Sequence, residues 1–197
     1  MIRLILASQS PARATLLRQA GLVFDVRASA IDEAGPKRSL RDQGAAAAAL
    51  HLAEAKAGIV DRSDGSLVIG ADQILVCEGV WFDKPADTAE ARQHLQRLRG
   101  RVHELVTAVV LRQTGVVVWS HVMVPRLTMR DLSDEAIDDI LTREGDGLLQ
   151  TVGAYKVEGL GLQLFSSIEG EWAAVLGLPM LALLEALRPW CVEGLVA

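Results

Sequence analysis

A run of apolar residues that ends in a carboxylate, Val68-Ile69-Gly70-Ala71-Asp72-Gln73, constrains the fold more than any other part of this sequence. A continuous apolar stretch of this kind is typical of a strand that is buried on both faces. It predicts a strand from Ser66 to Gly70, with Asp72 where that strand ends. Ligands of α/β proteins usually bind at the ends of strands. We therefore expect Asp72 to be held rigidly, open to solvent and substrate, as a general base or metal ligand.

Apolar periodicity in the rest of the chain alternates between strand and helix patterns, which indicates an α/β fold. The predicted strands cover residues 2–7, 24–28, 66–70, 74–77, 80–82, 102–112, 116–129, 154–157 and 162–168. The predicted helices cover residues 11–20, 41–60, 87–100, 133–143 and 179–187, whereas residues 32–38 contain Gly35-Pro36 and are predicted to form a loop. Because Glu78-Gly79 and Thr114-Gly115 are typical of hairpin turns, the sheet should be mixed rather than wholly parallel. We find no repeat or linker and expect residues 1–197 to form a single domain.

Bulk properties limit the classes of function. The chain has 197 residues, half of them hydrophobic, which suffices for a sizeable core, and its net charge of −5 argues against binding to a nucleic-acid polymer. The two cysteines, Cys77 and Cys191, lie far apart and indicate a reducing compartment. No signal peptide is evident, and the apolar stretch 173–184 is too short to span a bilayer. We expect a cytoplasmic protein that does not insert into membranes.

The segment Ser8-Gln9-Ser10-Pro11-Ala12-Arg13 joins the first predicted strand to the first predicted helix. The first N–H groups of a helix lack backbone partners and its dipole is positive there, so an anion is stabilised at this end. Two hydroxyls and an arginine beside it would form a phosphate cradle. Because Ser-Pro begins many helices, an ordinary N-cap with a surface arginine explains the segment equally well.

Further charged residues could complete an anion or metal site. Lys56 lies in an alanine-rich helical segment and Lys84 precedes Pro85, and either could reach a polyphosphate as a point charge. Taken singly, each lysine is more typical of a solvated surface residue. Glu33 in the predicted loop, together with Asp72, would supply the oxygen ligands that Mg²⁺ prefers.

Six short motifs follow one another along the chain. They are Leu4-Ile5-Leu6-Ala7-Ser8-Gln9-Ser10-Pro11 with Arg13 and Leu16-Leu17, then Asp32-Glu33, Ala55-Lys56-Ala57, Ile69-Gly70-Ala71-Asp72, Lys84-Pro85 and Val175-Leu176-Gly177-Leu178-Pro179. In this order they resemble the Maf-like nucleotide pyrophosphatases over nearly the whole chain. Each motif is weakly specific alone, whereas the ordered set is strongly specific.

The resemblance implies a Maf-type (ITPase-like) α/β fold, with a mixed central sheet flanked by helices and two lobes around a cleft. It also implies hydrolysis of a nucleoside triphosphate to the monophosphate and pyrophosphate with a divalent cation, Mg²⁺, Mn²⁺ or Co²⁺, and it is compatible with a homodimer. Asp72 matches the family's proton acceptor, and Glu33 matches a carboxylate that supports the metal or the site. The positions that match its polyphosphate-binding residues are Ser8, Arg13, Lys56 and Lys84.

Three positions bear on the choice of nucleotide. Pyrimidine-selective members, which act on dTTP and UTP, resemble Ser-Pro-Arg-Arg, Gly-Ala-Asp-Thr and Gln-Gly, where this chain has Ala12, Gln73 and Glu158. Gln73 and Glu158 resemble the 7-methyl-GTP pyrophosphatase subgroup, whereas Ala12 departs from some of its relatives. Methylation at N7 makes guanine cationic, and the carboxylate of Glu158 could accept from its N–H donors. A solvated loop charge is the alternative explanation of Glu158.

Two other functions are compatible with the sequence. The first is a pyrophosphatase that acts on dTTP and UTP, or on a broad range of nucleoside triphosphates. The second is a non-catalytic nucleotide-binding regulator of cell division, which the presence of Asp72, Lys56 and Lys84 disfavours. The preferred hypothesis is removal of a modified nucleotide such as 7-methyl-GTP from the nucleotide pool.

Overall fold

The structure, a computed structural model, describes residues 2–29, 31–62 and 64–196. Within these ranges the strands are β1 (Leu4–Leu6), β2 (Asp25–Val26), β3 (Leu67–Cys77), β4 (Val80–Phe82), β5 (Val102–Gln113), β6 (Val116–Met123), β7 (Arg126–Met129) and β8 (Phe165–Glu169). The α-helices there are α1 (Pro11–Gln19), α2 (Ala34–Ser39), α3 (Ala45–Val60), α4 (Thr88–Leu98), α5 (Asp134–Glu144), α6 (Trp172–Val175) and α7 (Met180–Leu187).

The strands form one mixed sheet, which confirms the predicted α/β class. Its hydrogen-bonding order is β2-β1-β3-β5-β7-β8, with β4 paired to β3 and β6 paired to β5. The pairs of β1 with β2 and with β3 are parallel, whereas the hairpin pairs are antiparallel. The predicted hairpin turns are also confirmed, because Glu78 and Thr114 adopt positive φ in front of Gly79 and Gly115.

The chain divides into two compact units, of which the first consists of residues 1–73, 107–123 and 171–197. The apolar side chains of α1, β1, β3 and α7 form a core in this unit. Its buried members include Leu4, Leu6, Leu17, Ile69, Leu178, Leu183 and Leu187. The helix α1 begins as the sequence predicts, with Ser10 as N-cap and Pro11 as the first helical residue.

The helix α3 and the strand β3 approach each other closely within the first unit. A side chain at Gly70 would collide with the carbonyl oxygen of Ala53, and its Cβ would lie 2.9 Å from the Cβ of Ala57. The residues of α3 that face the sheet are mostly alanines, which permits this short separation. Because Lys56 precedes Ala57 in α3, the close contact at Gly70 also determines how near Lys56 lies to β3.

The second unit consists of residues 74–106 and 124–170. Its helices α4 and α5 begin within one residue of the predicted starts. The side chain of Asp87 accepts from Glu90 N and that of Ser133 accepts from Ala136 N. Buried apolar residues of this unit include Leu95, Leu98, Leu127, Met129, Ile137, Ile140 and Phe165. The imidazole of His103 lies in this core, and its Nε2 is 2.8 Å from the hydroxyl of Tyr155.

The burial of His103 predicts a loss of stability in mild acid. Burial lowers the pKa of His103 to about 4 from an ordinary value near 6.5, so the unfolded chain takes up this proton first. Stability is therefore lost as the pH falls from about 6.5 towards 4, with roughly 2 kcal/mol lost between pH 7 and pH 5. Urea denaturation at pH 7 and at pH 5 should show that His103→Gln removes this difference in the free energy of unfolding.

The matched control for this prediction is His51→Gln, because His51 is exposed on α3. That variant should keep the wild-type difference in unfolding free energy between pH 7 and pH 5. An unchanged difference in His103→Gln would contradict a neutral, buried His103.

The helix α2 corrects the prediction of a loop over residues 32–38. The side chain of Asp32 accepts from the backbone N–H of Ala34 at 3.0 Å, and Pro36 occupies the first turn, where its missing N–H has no helical partner to lose. The predicted helix over residues 41–60 is also interrupted. Gly44 adopts a φ of +91° between a 3₁₀ turn at Arg41–Gln43 and the start of α3.

Several predicted strands differ from the structure. The two strands predicted at 66–70 and 74–77 form one continuous strand, β3. The strand predicted at 116–129 is divided into β6 and β7, since Pro125 lies between them and proline cannot donate to a ladder. The strand predicted at 154–157 is wrong: Val152–Ala154 form a 3₁₀ turn with Gly153 at a φ of +78°.

Among the described residues, helices that combine the length and apolar character of a membrane span are absent.

Candidate active site

The carboxylate of Asp72 lies inside β3 rather than at its end. The parallel pairing of β1 with β3 stops at Leu6 and Ile69, so Asp72 stands beyond the carboxyl end of the neighbouring strand although β3 continues. Its exposed fraction is 4%. The prediction of an acid that is open to solvent at a strand end is therefore wrong: Asp72 is buried within β3, beyond the point where the pairing with β1 stops.

One lysine connects two carboxylates at this point. The Nζ atom of Lys56 lies 2.6 Å from Oδ1 of Asp72 and 2.7 Å from Oε1 of Glu33. Lys56 is buried with Asp72, whereas 42% of the Glu33 side chain is exposed. An ammonium group has three N–H donors, so among the described residues two of them bind the carboxylates and the third can bind another oxygen.

The environment of Asp72 makes it a stronger base than a free aspartate. Burial raises the pKa of Asp72 above its ordinary value, although the charges of Lys56 and Arg13 act in the opposite direction. The atom Oδ2 is buried and, among the described residues, has no hydrogen-bond partner. A buried acceptor without a partner is costly, so Oδ2 is the atom where a proton, a water molecule or a cation would be stabilised.

The hydroxyl of Ser8 can donate to an outside acceptor. Its oxygen accepts from Ser10 N at 3.2 Å and from Nη1 of Arg13 at 3.2 Å. A serine oxygen accepts two hydrogen bonds and donates one, so within the described part of the chain both lone pairs are used. The remaining O–H proton is suited to a phosphate oxygen, close to the N-terminus of α1.

The guanidinium of Arg13 is buried, so the explanation as a surface arginine is wrong. Its Nε donates to Gly177 O at 2.9 Å and its Nη1 donates to Ala71 O at 2.8 Å. Gly177 has a φ of +101°, and a Cβ at this residue would lie 2.9 Å from Nε of Arg13. Burial lowers the pKa of Arg13, while the charges of Asp72 and Glu33 oppose this effect. Arg13 thus holds the backbone of the residue before Asp72.

The side chain of Gln73 is engaged with its own protein. Its Nε2 lies 2.8 Å from Oγ1 of Thr107, 3.0 Å from Ala174 O and 3.2 Å from Val175 O. The fully buried Thr107 in turn donates to Ala174 O at 3.0 Å. Sequence reasoning missed Thr107, because a single threonine in a β-branched strand gives no signal of a polar contact.

The structure brings part of the predicted site together. Glu33, Lys56 and Asp72 are in direct contact in the first unit, and Ser8 and Arg13 are joined there by a hydrogen bond. Ala12 is half-buried in the first turn of α1. Two predicted residues, Lys84 and Glu158, belong to the second unit and are exposed: Lys84 lies between β4 and α4, and Glu158 lies in a turn after Tyr155.

The donor set fits a divalent cation that is shared with a substrate. In residues 2–29, 31–62 and 64–196, groups of three or more His, Cys, Asp or Glu side chains that could hold a metal are absent. Mg²⁺ commonly takes one or two carboxylates and completes its shell with water and substrate phosphates. Asp72, with its buried and unpartnered Oδ2, and the half-exposed Glu33 are hard oxygen donors of this type.

Comparisons with known proteins find relatives that match nearly the whole chain. The family model described as "Maf-like protein" matches residues 3–190. A nucleoside triphosphate pyrophosphatase of Gluconobacter oxydans is 52% identical over 94% of this chain and 93% of its own. A 7-methyl-GTP pyrophosphatase of Rhizobium meliloti is 50% identical over 94% of both chains, and one of Brucella abortus is 43% identical over 98% of this chain and 99% of its own.

Proposed function

Since this chain belongs to the family of Maf-like proteins, we propose that it is an enzyme that hydrolyses a nucleoside triphosphate to the monophosphate and pyrophosphate. The observation that carries this proposal is the buried Asp72. Its pKa is raised, one of its oxygens is held by Lys56 and the other lacks a partner among the described residues. This general base lies in the same unit as Ser8 and Arg13, which are proposed to bind an anion.

In the proposed reaction, Oδ2 of Asp72 accepts a proton from a water molecule, and the water oxygen forms a bond to the α-phosphorus. The bond between this phosphorus and the oxygen that bridges to the β-phosphorus breaks, so pyrophosphate leaves and the monophosphate retains the water oxygen. A carboxylate with a raised pKa is better matched to this proton transfer than an ordinary aspartate. Hydrogen bonding of Oδ1 to Lys56 fixes which oxygen faces the water.

The negative charge that develops on the phosphate oxygens needs fixed donors. Ser8 can donate its hydroxyl proton and Lys56 can donate its third N–H. The N–H groups at the N-terminus of α1 lie at the positive end of the helix dipole. Lys84 is a further proposed donor. Such pre-oriented donors stabilise charge in a transition state without reorganisation.

We propose Mg²⁺, Mn²⁺ or Co²⁺ as the cofactor, held by Asp72 and Glu33 together with substrate phosphates. When bound, the cation neutralises phosphate charge and acidifies a coordinated water. We further propose that residues 1–197 act as one functional domain in the cytoplasm and that the enzyme clears a modified nucleotide from the pool, with a homodimer as the expected assembly.

7-Methyl-GTP is the proposed preferred substrate. Relatives of this chain are named both for this nucleotide and for nucleoside triphosphates in general. Glu158 is exposed and its carboxylate can accept from adjacent N–H donors. The N7-methylated guanine ring is cationic, so its N–H groups form charge-assisted hydrogen bonds with a carboxylate. Ala12 is a second proposed specificity position. The amide nitrogen of Gln73, the third position of the resemblance, is bound by Thr107, Ala174 and Val175.

A pyrophosphate-release screen tests these proposals together. The purified protein is given 7-methyl-GTP, GTP, ATP, dTTP and UTP with each of the three cations, or with a chelator. We expect equal amounts of pyrophosphate and monophosphate, no activity with the chelator, and the highest kcat/KM for 7-methyl-GTP. In Glu158→Gln, the preference for 7-methyl-GTP over GTP should fall roughly tenfold, because a neutral acceptor gives a weaker hydrogen bond.

Each alternative has its own outcome in this screen. Preference for dTTP or UTP would contradict the assignment of 7-methyl-GTP but not the reaction. Nucleotide binding without release of pyrophosphate from any of the five would contradict the enzyme and favour a non-catalytic regulator.

A further inference from the structure

We propose that residues 174–177 form a brace that positions Asp72 by holding the residue on each side of it, through Gln73 with Thr107 on one side and through Arg13 on the other. This inference rests on the proposed function, because it concerns the placement of the general base. It assigns Gln73 and Thr107 as positioning residues and gives a role to the segment Val175-Leu176-Gly177-Leu178-Pro179. The four residues 174–177 are called the brace below.

The first connection runs through the amide of Gln73. Nε2 carries two hydrogens and lies within 3.2 Å of Oγ1 of Thr107, Ala174 O and Val175 O. Carbonyl oxygens can only accept, so the amide nitrogen must face them, and the orientation of the amide group follows from its neighbours. Thr107 is fully buried and donates its own proton to Ala174 O at 3.0 Å, so both Gln73 and Thr107 are bound to the brace.

The second connection runs through the guanidinium of Arg13. Nε donates to Gly177 O at 2.9 Å, and Nη1 donates to Ala71 O at 2.8 Å, so one planar group joins the brace to the residue before Asp72. The positive φ of Gly177 turns its carbonyl towards the arginine, and a Cβ there would crowd Nε. Residues 71 and 73 are therefore tied to the same four residues by two different side chains.

Strand geometry separates Gln73 from the reacting atoms. Successive side chains of a strand leave it on opposite faces, so Gln73 points away from the side of β3 on which Asp72 meets Lys56 of α3. Both N–H groups of its amide are used by the protein itself. In this proposal Gln73 acts on the reaction through the backbone of β3 and the orientation of Asp72.

A positioning role and a base-reading role predict different kinetics. If Gln73 read the base, its disturbance would raise KM for one nucleotide and change the ratio of kcat/KM between nucleotides. If it positions Asp72, its disturbance lowers kcat for every substrate by the same factor, because small displacements of a catalytic group slow the chemical step.

The test compares Thr107→Val, Thr107→Ser and Gln73→Asn with the wild-type enzyme on 7-methyl-GTP, GTP and ATP, with rates expressed per folded molecule. Valine keeps the shape of threonine without the hydroxyl, serine keeps the hydroxyl, and asparagine keeps an amide that is too short to reach all three acceptors. We expect kcat to fall roughly tenfold in Thr107→Val and Gln73→Asn on every substrate, with KM unchanged, and to be largely retained in Thr107→Ser. Thr142→Val is the matched control, because Thr142 donates to Asp138 O at 2.7 Å on the exposed side of α5.

The outcomes separate this inference from the proposed function. Absence of pyrophosphatase activity in the wild-type protein would reject the function itself. An active wild type whose Thr107→Val or Gln73→Asn variant changes the ratio between nucleotides more than fivefold, or keeps its kcat, would overturn the positioning role alone. Equal losses in Thr107→Ser and Thr107→Val would also overturn it, because the serine retains the hydrogen bonds. If Thr107→Val does not fold, Gln73→Asn and Thr107→Ser still decide the matter.

Discussion

Replacing Asp72 with asparagine should lower kcat/KM for nucleoside triphosphate hydrolysis by roughly 10²–10⁴-fold, the usual contribution of a general base. Asparagine has nearly the same shape and still offers an oxygen to Lys56, which also keeps its contact with Glu33 at 2.7 Å. The fold should therefore persist, and nucleotide affinity should change little. Pyrophosphate release and nucleotide binding, measured on the same preparation, check this expectation.

The pH dependence of the wild-type enzyme provides a second measurement on Asp72. The base must be ionised to accept a proton, and burial raises its pKa, so activity should decline on acidification at a higher pH than an ordinary aspartate would require. The residual activity of Asp72→Asn should lack this decline. Asp139→Asn, which removes an exposed carboxylate paired with Arg143, should keep the full activity and the wild-type pH profile. Retention of more than a tenth of the activity in Asp72→Asn would contradict the assignment of the base.

Replacing Gly70 with alanine should lower the free energy of unfolding by about 3 kcal/mol, at the upper end of what overpacking usually costs. The new methyl group would collide with the carbonyl oxygen of Ala53 and crowd Ala57, so α3 would have to move away from β3. That movement would carry Lys56 away from Asp72, whose Oδ1 now lies 2.6 Å from Nζ. Urea denaturation and kcat of the remaining folded protein should both report the displacement.

Gly58→Ala is the matched control, since it makes the same chemical change within α3. A Cβ at Gly58 would meet only ordinary contacts with Arg112 at 3.8 Å, and alanine is the better helix former. This variant should be as stable as the wild type, or up to about 1 kcal/mol more stable. Equal stability of Gly70→Ala and the wild type would contradict the close helix–strand contact.

Local chemistry made much of the fold predictable. The helices α1, α4 and α5 begin within one residue of their predicted starts, because the side chains of Ser10, Asp87 and Ser133 bind the first free N–H groups. The helix α2 is not predicted from the sequence, because Gly35-Pro36 is typical of a loop. Proline is equally compatible with the first turn of a helix, and local pattern does not decide between the two.

The residues of the candidate site could be predicted from the sequence, but their burial could not. The motifs identify Asp72, Lys56 and Arg13, yet their burial depends on contacts between distant residues, such as the bond from Arg13 to a carbonyl 164 residues away. The strand β3 continues past Asp72, because β4 offers it a new partner. An acid that was expected to be open to solvent is therefore enclosed, and this enclosure is what raises its pKa.

The first unit is assembled from three separate stretches of chain, and its last stretch begins at Glu171. As the ribosome extends the polypeptide, both stretches of the second unit emerge before residues 171–197, and that unit can complete its own contacts earlier. The contact of Arg13 with the carbonyl of Gly177 cannot form until residue 177 has been synthesised. The nascent protein should therefore acquire its catalytic competence last, after most of its native structure has formed. A chain that stalls before residue 171 should contain Asp72 and Lys56 without the contacts that Arg13 and Gln73 make with the brace.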